Sequence, residues 1–131
     1  MLLDGLDPAA IERAAVHLAE GALVAFATET VYGLGARADD DSAVAAVFAA
    51  KGRPTGHPLI VHVTGRADAE AFTTHMPAMA ARLMDGLWPG PLTVIVPRAP
   101  GVASAAAGGH PTIALRAPAH PVAPALIAAA R

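Results

Sequence analysis

Cysteine is missing from all 131 residues, and so are asparagine and glutamine. The first absence excludes disulfides, thiolate zinc sites and a cysteine nucleophile together, and it fits a cytoplasmic protein. Lysine occurs once, at Lys51, against eight arginines. A chain that avoids lysine elsewhere but keeps it in Lys51-Gly52-Arg53-Pro54 points to a need for an ammonium there. Long hydrophobic runs are missing too. The apolar stretches 22–27, 43–50 and 123–130 fall well short of the roughly 20 residues that span a bilayer, so no membrane role is expected. The start, MLLDGLDP, has neither the basic n-region nor the apolar h-region of a signal peptide. Net charge is −2, so a nucleic-acid contact would require a local basic patch.

What is present is apolar: 54% of residues are hydrophobic, which argues against disorder and for buried strands and alanine-rich helices. The length suits one domain. Asp7-Pro8 predicts a helix N-terminus, with Ile11, Ala14, Ala15 and Leu18 at helical spacing and Gly21 as its end. Strands are expected at 22–26, 58–63, 92–96 and 112–116, and an extended segment at 31–35. Further helices are expected from an Asp41 or Ser42 cap to before Gly52, at 67–72, at 77–87 and at 121–130. Trp88-Pro89-Gly90-Pro91 reads as a rigid turn and 97–110 as a Gly/Ala/Pro-rich loop. Alternating strands and helices predict a layered α/β fold. The 112–116 strand is apolar enough to need a neighbour on each side, and an unpaired edge there would recruit another chain.

Several patterns carry chemistry. Residues 33–38 match G-x-G-x-x-G/A, but the next helix opens only near Ser42 and the acidic residue expected about 20 positions on is replaced by Arg53, so the dinucleotide fingerprint fails its context. Lys51 and Arg53 combine a mobile point charge with a planar fork, which suits a polyphosphate. In the strand around His62, Leu59, Val61 and Val63 take one face and Ile60, His62 and Thr64 the other. Thr112, Ala114 and Arg116 likewise share a face. Glu29, between Thr28 and Thr30, is a weak candidate for a base or metal partner. Asp39-Asp40-Asp41 reads as a helix-capping turn. The histidines lack H-E-x-x-H spacing, the two serines lack G-x-S-x-G, and no Walker A lysine is present.

Taken in order, the motifs resemble one family. Residues Ala27-Thr28-Glu29-Thr30-Val31-Tyr32-Gly33-Leu34 are similar to P-T-E-T-x-Y-G-L. Lys51-Gly52-Arg53-Pro54 with Pro58-Leu59-Ile60-Val61-His62 is similar to K-x-R-P…P-L-x-x-H. Trp88–Thr93 resembles W-P-G-P-L-T, and 113–120 resembles V-x-x-R-x-P-x-H. Together they resemble the YrdC-like threonylcarbamoyl-AMP synthases. The resemblance implies a twisted, mixed α/β sheet with flanking helices around a concave basic cleft. It implies that Thr30, His62 and Arg116 hold L-threonine and that Lys51, Arg53, His57 and Thr112 surround ATP, with Mg²⁺ accompanying the nucleotide and no metal site on the protein. The implied reaction joins L-threonine, bicarbonate and ATP into threonylcarbamoyl-AMP and pyrophosphate. A tRNA-modifying threonylcarbamoyl transferase complex would then make threonylcarbamoyladenosine (t6A).

Three departures stand out: Ala27 for the usual Pro, His57 for the usual Asn or Asp, and no later S-x-N segment, which leads to the expectation of a single YrdC-like domain, 1–131, truncated at its C-terminal end. Two other readings remain open. One is a carbamoyl-adenylate domain related to hydrogenase maturation, which would bring acylphosphatase and zinc-finger modules. The other is a non-catalytic module with weak RNA binding.

Overall fold

The computed structural model describes residues 1–130. Asp7 caps the first helix, α1 (Pro8–Ala19), accepting from the Ala9 amide, with Pro8 at the first helical position. Gly21 ends it in the left-handed conformation, φ 85°: its N–H reaches the Leu18 carbonyl and that of Ala22 the His17 carbonyl. This pair of bonds is the Schellman arrangement. A short hairpin follows, β1 (Val24–Phe26) antiparallel to β2 (Gly33–Gly35). The expected 22–26 strand is thus shorter by two residues.

The second helix is α2 (Asp41–Lys51), and its cap is Asp40, not the expected Asp41 or Ser42. Asp40 is extended (φ −115°, ψ 104°) and accepts from the amides of Ser42 and Ala43 at 2.9 and 3.1 Å. The three aspartates divide the work. Asp39 pairs with Arg37, Asp40 caps, and Asp41 lies in the first turn, where a carboxylate suits the helix dipole.

The main sheet contains β3 (Ile60–His62), β4 (Thr93–Pro97) and β5 (Thr112–Arg116) in the order β3-β5-β4. β5 runs parallel to β3 and antiparallel to β4. It therefore has the neighbour on each side that its apolar sequence called for, and 112–116 is not an unpaired edge. The 67–72 helix is split into α3 (Arg66–Ala69) and a 3₁₀ turn at Glu70–Phe72. α4 (Ala78–Leu87) has Pro77 just before it, and α5 (Val122–Ala129) ends the described chain.

One face of the main sheet is packed. Val61, Val63, Val94, Val96, Ile113 and Leu115 point into a core closed by Val44, Phe48 and Met84 from α2 and α4. A smaller core joins Ala14, Ala15 and Leu18 of α1 to Leu126 of α5, with Phe26 against it. The other face of the main sheet carries the candidate site. Period-two alternation places Ile60, His62, Ala114, Arg116, Thr93 and Ile95 there, as expected for the first two strands. Strand register then sets two rows, Ile60–Ala114–Ile95 and His62–Arg116–Thr93.

Candidate functional site

Arg116, the last residue of β5, is the hub. Its Nη1 donates to Thr30 Oγ1 at 3.2 Å and its Nη2 donates to Glu29 Oε1. The second carboxylate oxygen, Oε2, accepts from the Ala119 amide at 2.6 Å. The Arg116 side chain is 12% exposed and that of Glu29 22%. Burial pushes the Glu29 carboxyl up, but the Ala119 amide and then Arg116 pull it further down, and the result lies below its ordinary value. Arg116 Nε is buried with no hydrogen-bond partner. An unpaired buried donor is costly, and this N–H has no partner among the described residues.

The loop carrying Glu29 and Thr30 is held by Thr28. Its Oγ1 donates to the Val31 carbonyl at 2.5 Å and accepts from the amides of Thr30 and Val31 at 3.3 and 3.2 Å. The second anchor is behind Arg116: the Gly90 amide of the Trp88–Pro91 turn donates to the Ala117 carbonyl at 2.9 Å, and Trp88 Nε1 donates to the Leu92 carbonyl at 2.8 Å. Two motifs far apart in sequence thus fix the backbone on either side of one guanidinium.

His62 is opposite Arg116 in the parallel pairing. Its Nδ1 lies 3.2 Å from the Ile60 carbonyl oxygen, so an Nδ1 proton has an acceptor there and Nε2 is left as a lone-pair acceptor. Burial pushes its pKa below the ordinary value; the Ile60 carbonyl opposes this, and the Arg116 charge adds to it. The imidazole is therefore neutral at pH 7.

A cavity of about 650 Å³ opens beside these groups, lined by Phe26, Thr28, Tyr32, Ile60, His62 and Arg116 among others, and also by Arg37, Lys51 and Arg53. The cations differ in state. Arg37 is neutralised by Asp39 through two hydrogen bonds, at 2.9 and 2.8 Å, and Arg116 by Glu29. Lys51 and Arg53 have no side-chain hydrogen bond or ion pair among the described residues. Their placement comes from the end of α2. Gly52 takes φ 64°, its N–H reaching the Ala49 carbonyl and that of Arg53 the Phe48 carbonyl, again the Schellman arrangement. The glycine between the two cations is the residue that the left-handed turn requires.

The sequence candidates thus separate. Thr30, His62 and Arg116 are brought together, and Lys51 and Arg53 line the same cavity as His62 and Arg116. His57 and Thr112 do not line it. His57 is exposed in the 52–59 turn, and Thr112 is exposed at the start of β5 opposite Pro97. Phe26 was not among the sequence candidates for the site, and Glu29 was only a weak candidate for a base or metal partner. Glu29 had only its position between two threonines as a signal; Phe26 looked like core. Across β2, the glycines of 33–35 serve packing. A Cβ at Gly35 would sit 2.7 Å from Phe26 Cε1, so the ring lies flat over a strand without side chains there.

Known proteins resemble this chain in sequence and fold. The family model Sua5/YciO/YrdC, described as telomere recombination, matches residues 16–131. A threonylcarbamoyl-AMP synthase of Pyrococcus abyssi is 47% identical over 117 residues, 89% of this chain and 34% of the relative. One of Bacillus subtilis is 48% identical over 118 residues, 89% of this chain and 34% of the relative. The chain thus spans about a third of the length of these two relatives. The crystal structure of P. abyssi Sua5 complexed with L-threonine superposes with a TM-score of 0.91 at 44% identity, covering 95% of this chain and 36% of that one. E. coli YciO shares the fold, with a TM-score of 0.84 at 24% identity over 95% of this chain and 60% of that one. With the family model spanning most of its length and its motifs converging on one guanidinium, the chain belongs to the Sua5/YciO/YrdC family.

Proposed function

We propose that this chain carries the threonine and phosphate sites of an L-threonylcarbamoyladenylate synthase, a nucleotidyltransferase. The observation that carries the reading is the convergence of Thr30, His62 and Arg116 beside a cavity also lined by two unneutralised cations, Lys51 and Arg53. Relatives at 47–48% identity bear that activity in their names, and a similar structure was solved with L-threonine.

In this reading Arg116, which lines the cavity, takes the threonine carboxylate with its guanidinium. Neutral His62 offers Nε2 to the threonine hydroxyl, and Thr30 closes the same corner. The amine of threonine adds to bicarbonate-derived carbon dioxide, forming a carbamate with loss of a proton. The carbamate oxygen then attacks the α-phosphorus of ATP and pyrophosphate leaves. Lys51 and Arg53 neutralise the phosphates, so the work of the protein is positioning and charge stabilisation. Mg²⁺ fits as an ion carried in on ATP. The described residues contain no cluster of three or more His, Asp or Glu able to hold a metal, and Mg²⁺ is commonly held by substrate phosphates, waters and one or two carboxylates. His57 and Thr112 are assigned to the nucleotide's outer contacts, beyond the cavity. The product would pass to a tRNA-modifying threonylcarbamoyl transferase complex in the cytoplasm. No helix among the described residues is long and apolar enough to cross a membrane.

The test is release of pyrophosphate from ATP, expected only when L-threonine and bicarbonate are both supplied. Equal release with L-serine, or with no amino acid, overturns the reading. RNA binding that falls steeply with salt and no pyrophosphate release at all would favour a binding module instead.

A further inference from the structure

We propose that Glu29 is a positioning residue that orients the Arg116 guanidinium for the substrate carboxylate. The role rests on the reading of Arg116 as the carboxylate clamp. Three observations carry it. First, Glu29 bridges two segments: Oε1 accepts from Arg116 Nη2 and Oε2 from the Ala119 amide, 90 residues on. Second, Thr30 holds Nη1 of the same fork. With both terminal nitrogens held, the plane of the guanidinium is set, and with it the direction of its remaining N–H groups. Third, the loop that presents Glu29 is itself pinned by hydrogen bonds between Thr28 Oγ1 and three backbone groups.

Two other roles for this carboxylate are disfavoured by the same geometry. As a general base, Glu29 would be a weak one: each oxygen already accepts a hydrogen bond, and its pKa lies below the ordinary value. As a stand-in for the substrate carboxylate, displaced when threonine binds, it would have to break the Ala119 bond as well as the Arg116 pair. The two roles also differ in sign. Removing a positioning carboxylate weakens threonine binding because the fork is no longer held. Removing a competing carboxylate tightens it.

The substitution Glu29→Gln separates these. The amide has one acceptor oxygen for two donors, so either Arg116 Nη2–H or the Ala119 N–H faces an NH₂ group. Glu29→Asp keeps both acceptor oxygens on a shorter stem. L-Threonine and ATP would be titrated calorimetrically into the unsubstituted protein, both variants, Arg116→Lys, and Glu29→Gln combined with Arg116→Lys. Glu29→Gln is expected to weaken threonine binding about 10- to 100-fold, the range for a hydrogen bond to a charged group, with ATP affinity little changed. Glu29→Asp should recover part of the loss. The double variant should bind threonine no more weakly than Arg116→Lys alone, because the two residues act as one unit. In the ligand-free protein, the Arg116 Nε–H nuclear magnetic resonance signal should broaden in Glu29→Gln. Unchanged or tighter threonine binding in Glu29→Gln, additive losses in the double variant, or equal loss of ATP affinity would each overturn the role. A protein that binds ATP but no threonine before any substitution removes the functional reading, and this role with it.

Discussion

Phe26 and His62 meet edge to face, their ring centroids 5.9 Å apart and their planes at 86°. The contact joins the β1–β2 hairpin to the main sheet at the residue in register with Arg116. The ring adds to the burial of the imidazole, and burial is what lowers its pKa.

That lowering sets a pH dependence. The folded pKa of His62 lies below its ordinary 6.5, so the unfolded chain binds the proton more tightly. Stability from this group is complete above about 6.5 and declines as pH falls through the folded value. The Glu29 carboxyl is also depressed, from 4.5, and its contribution is present above that value and lost as pH falls through the folded one. Urea midpoints measured from pH 8 downward should fall in two stages. His62→Phe should remove the upper stage, and Glu29→Gln should reduce the lower, to which Asp39, held down by Arg37, also contributes. An unsubstituted protein whose midpoint is flat between pH 7 and the folded value of His62 contradicts the first assignment.

Arg116→Lys should impair threonine use far more than ATP binding. The ammonium keeps the charge but loses the planar fork held between Thr30 and Glu29. The threonine KM in the pyrophosphate assay is the readout, and an unchanged KM would remove Arg116 from the carboxylate.

Lys51→Ala and Arg53→Ala should show the reverse pattern. Both cations lack a partner among the described residues and line the cavity, so their loss should weaken ATP while sparing threonine. The ATP affinity of the unsubstituted protein should fall with added salt, and less so in the variants. Calorimetry that finds ATP affinity intact in both variants would move the phosphates elsewhere.

Gly35→Ala tests the support beneath His62. The new methyl group would meet Phe26 Cε1 at 2.7 Å, and overpacking of this kind costs about 1–3 kcal/mol. Adding Phe26→Leu should return part of that stability, a coupling that a thermal melt of the four proteins would reveal. Additive losses would show that the ring is not what the strand accommodates.

The family and most of the site were legible in the chain itself. Asp7-Pro8 and Gly21 mark the ends of α1 because capping is a local matter of backbone donors and acceptors. The same locality explains Lys51-Gly52-Arg53, where one glycine in the left-handed conformation throws two cations off the end of a helix. Period-two alternation correctly put His62 and Arg116 on the open faces of their strands. The choice among three consecutive aspartates was not legible, because each type can cap and only the backbone angles single out Asp40. Glu29 was not legible either: its significance is a pairing with a residue 87 positions away, and no spacing rule reaches that far. That 112–116 needs a neighbour on each side was legible in its apolar run, but which strands flank it was decided by the fold. Sequence alone determined which groups are available and which face each takes, since those follow from short-range geometry. Only the tertiary structure decided which cations are neutralised and which are free, because a charge's state depends on what the fold brings within a few ångströms of it.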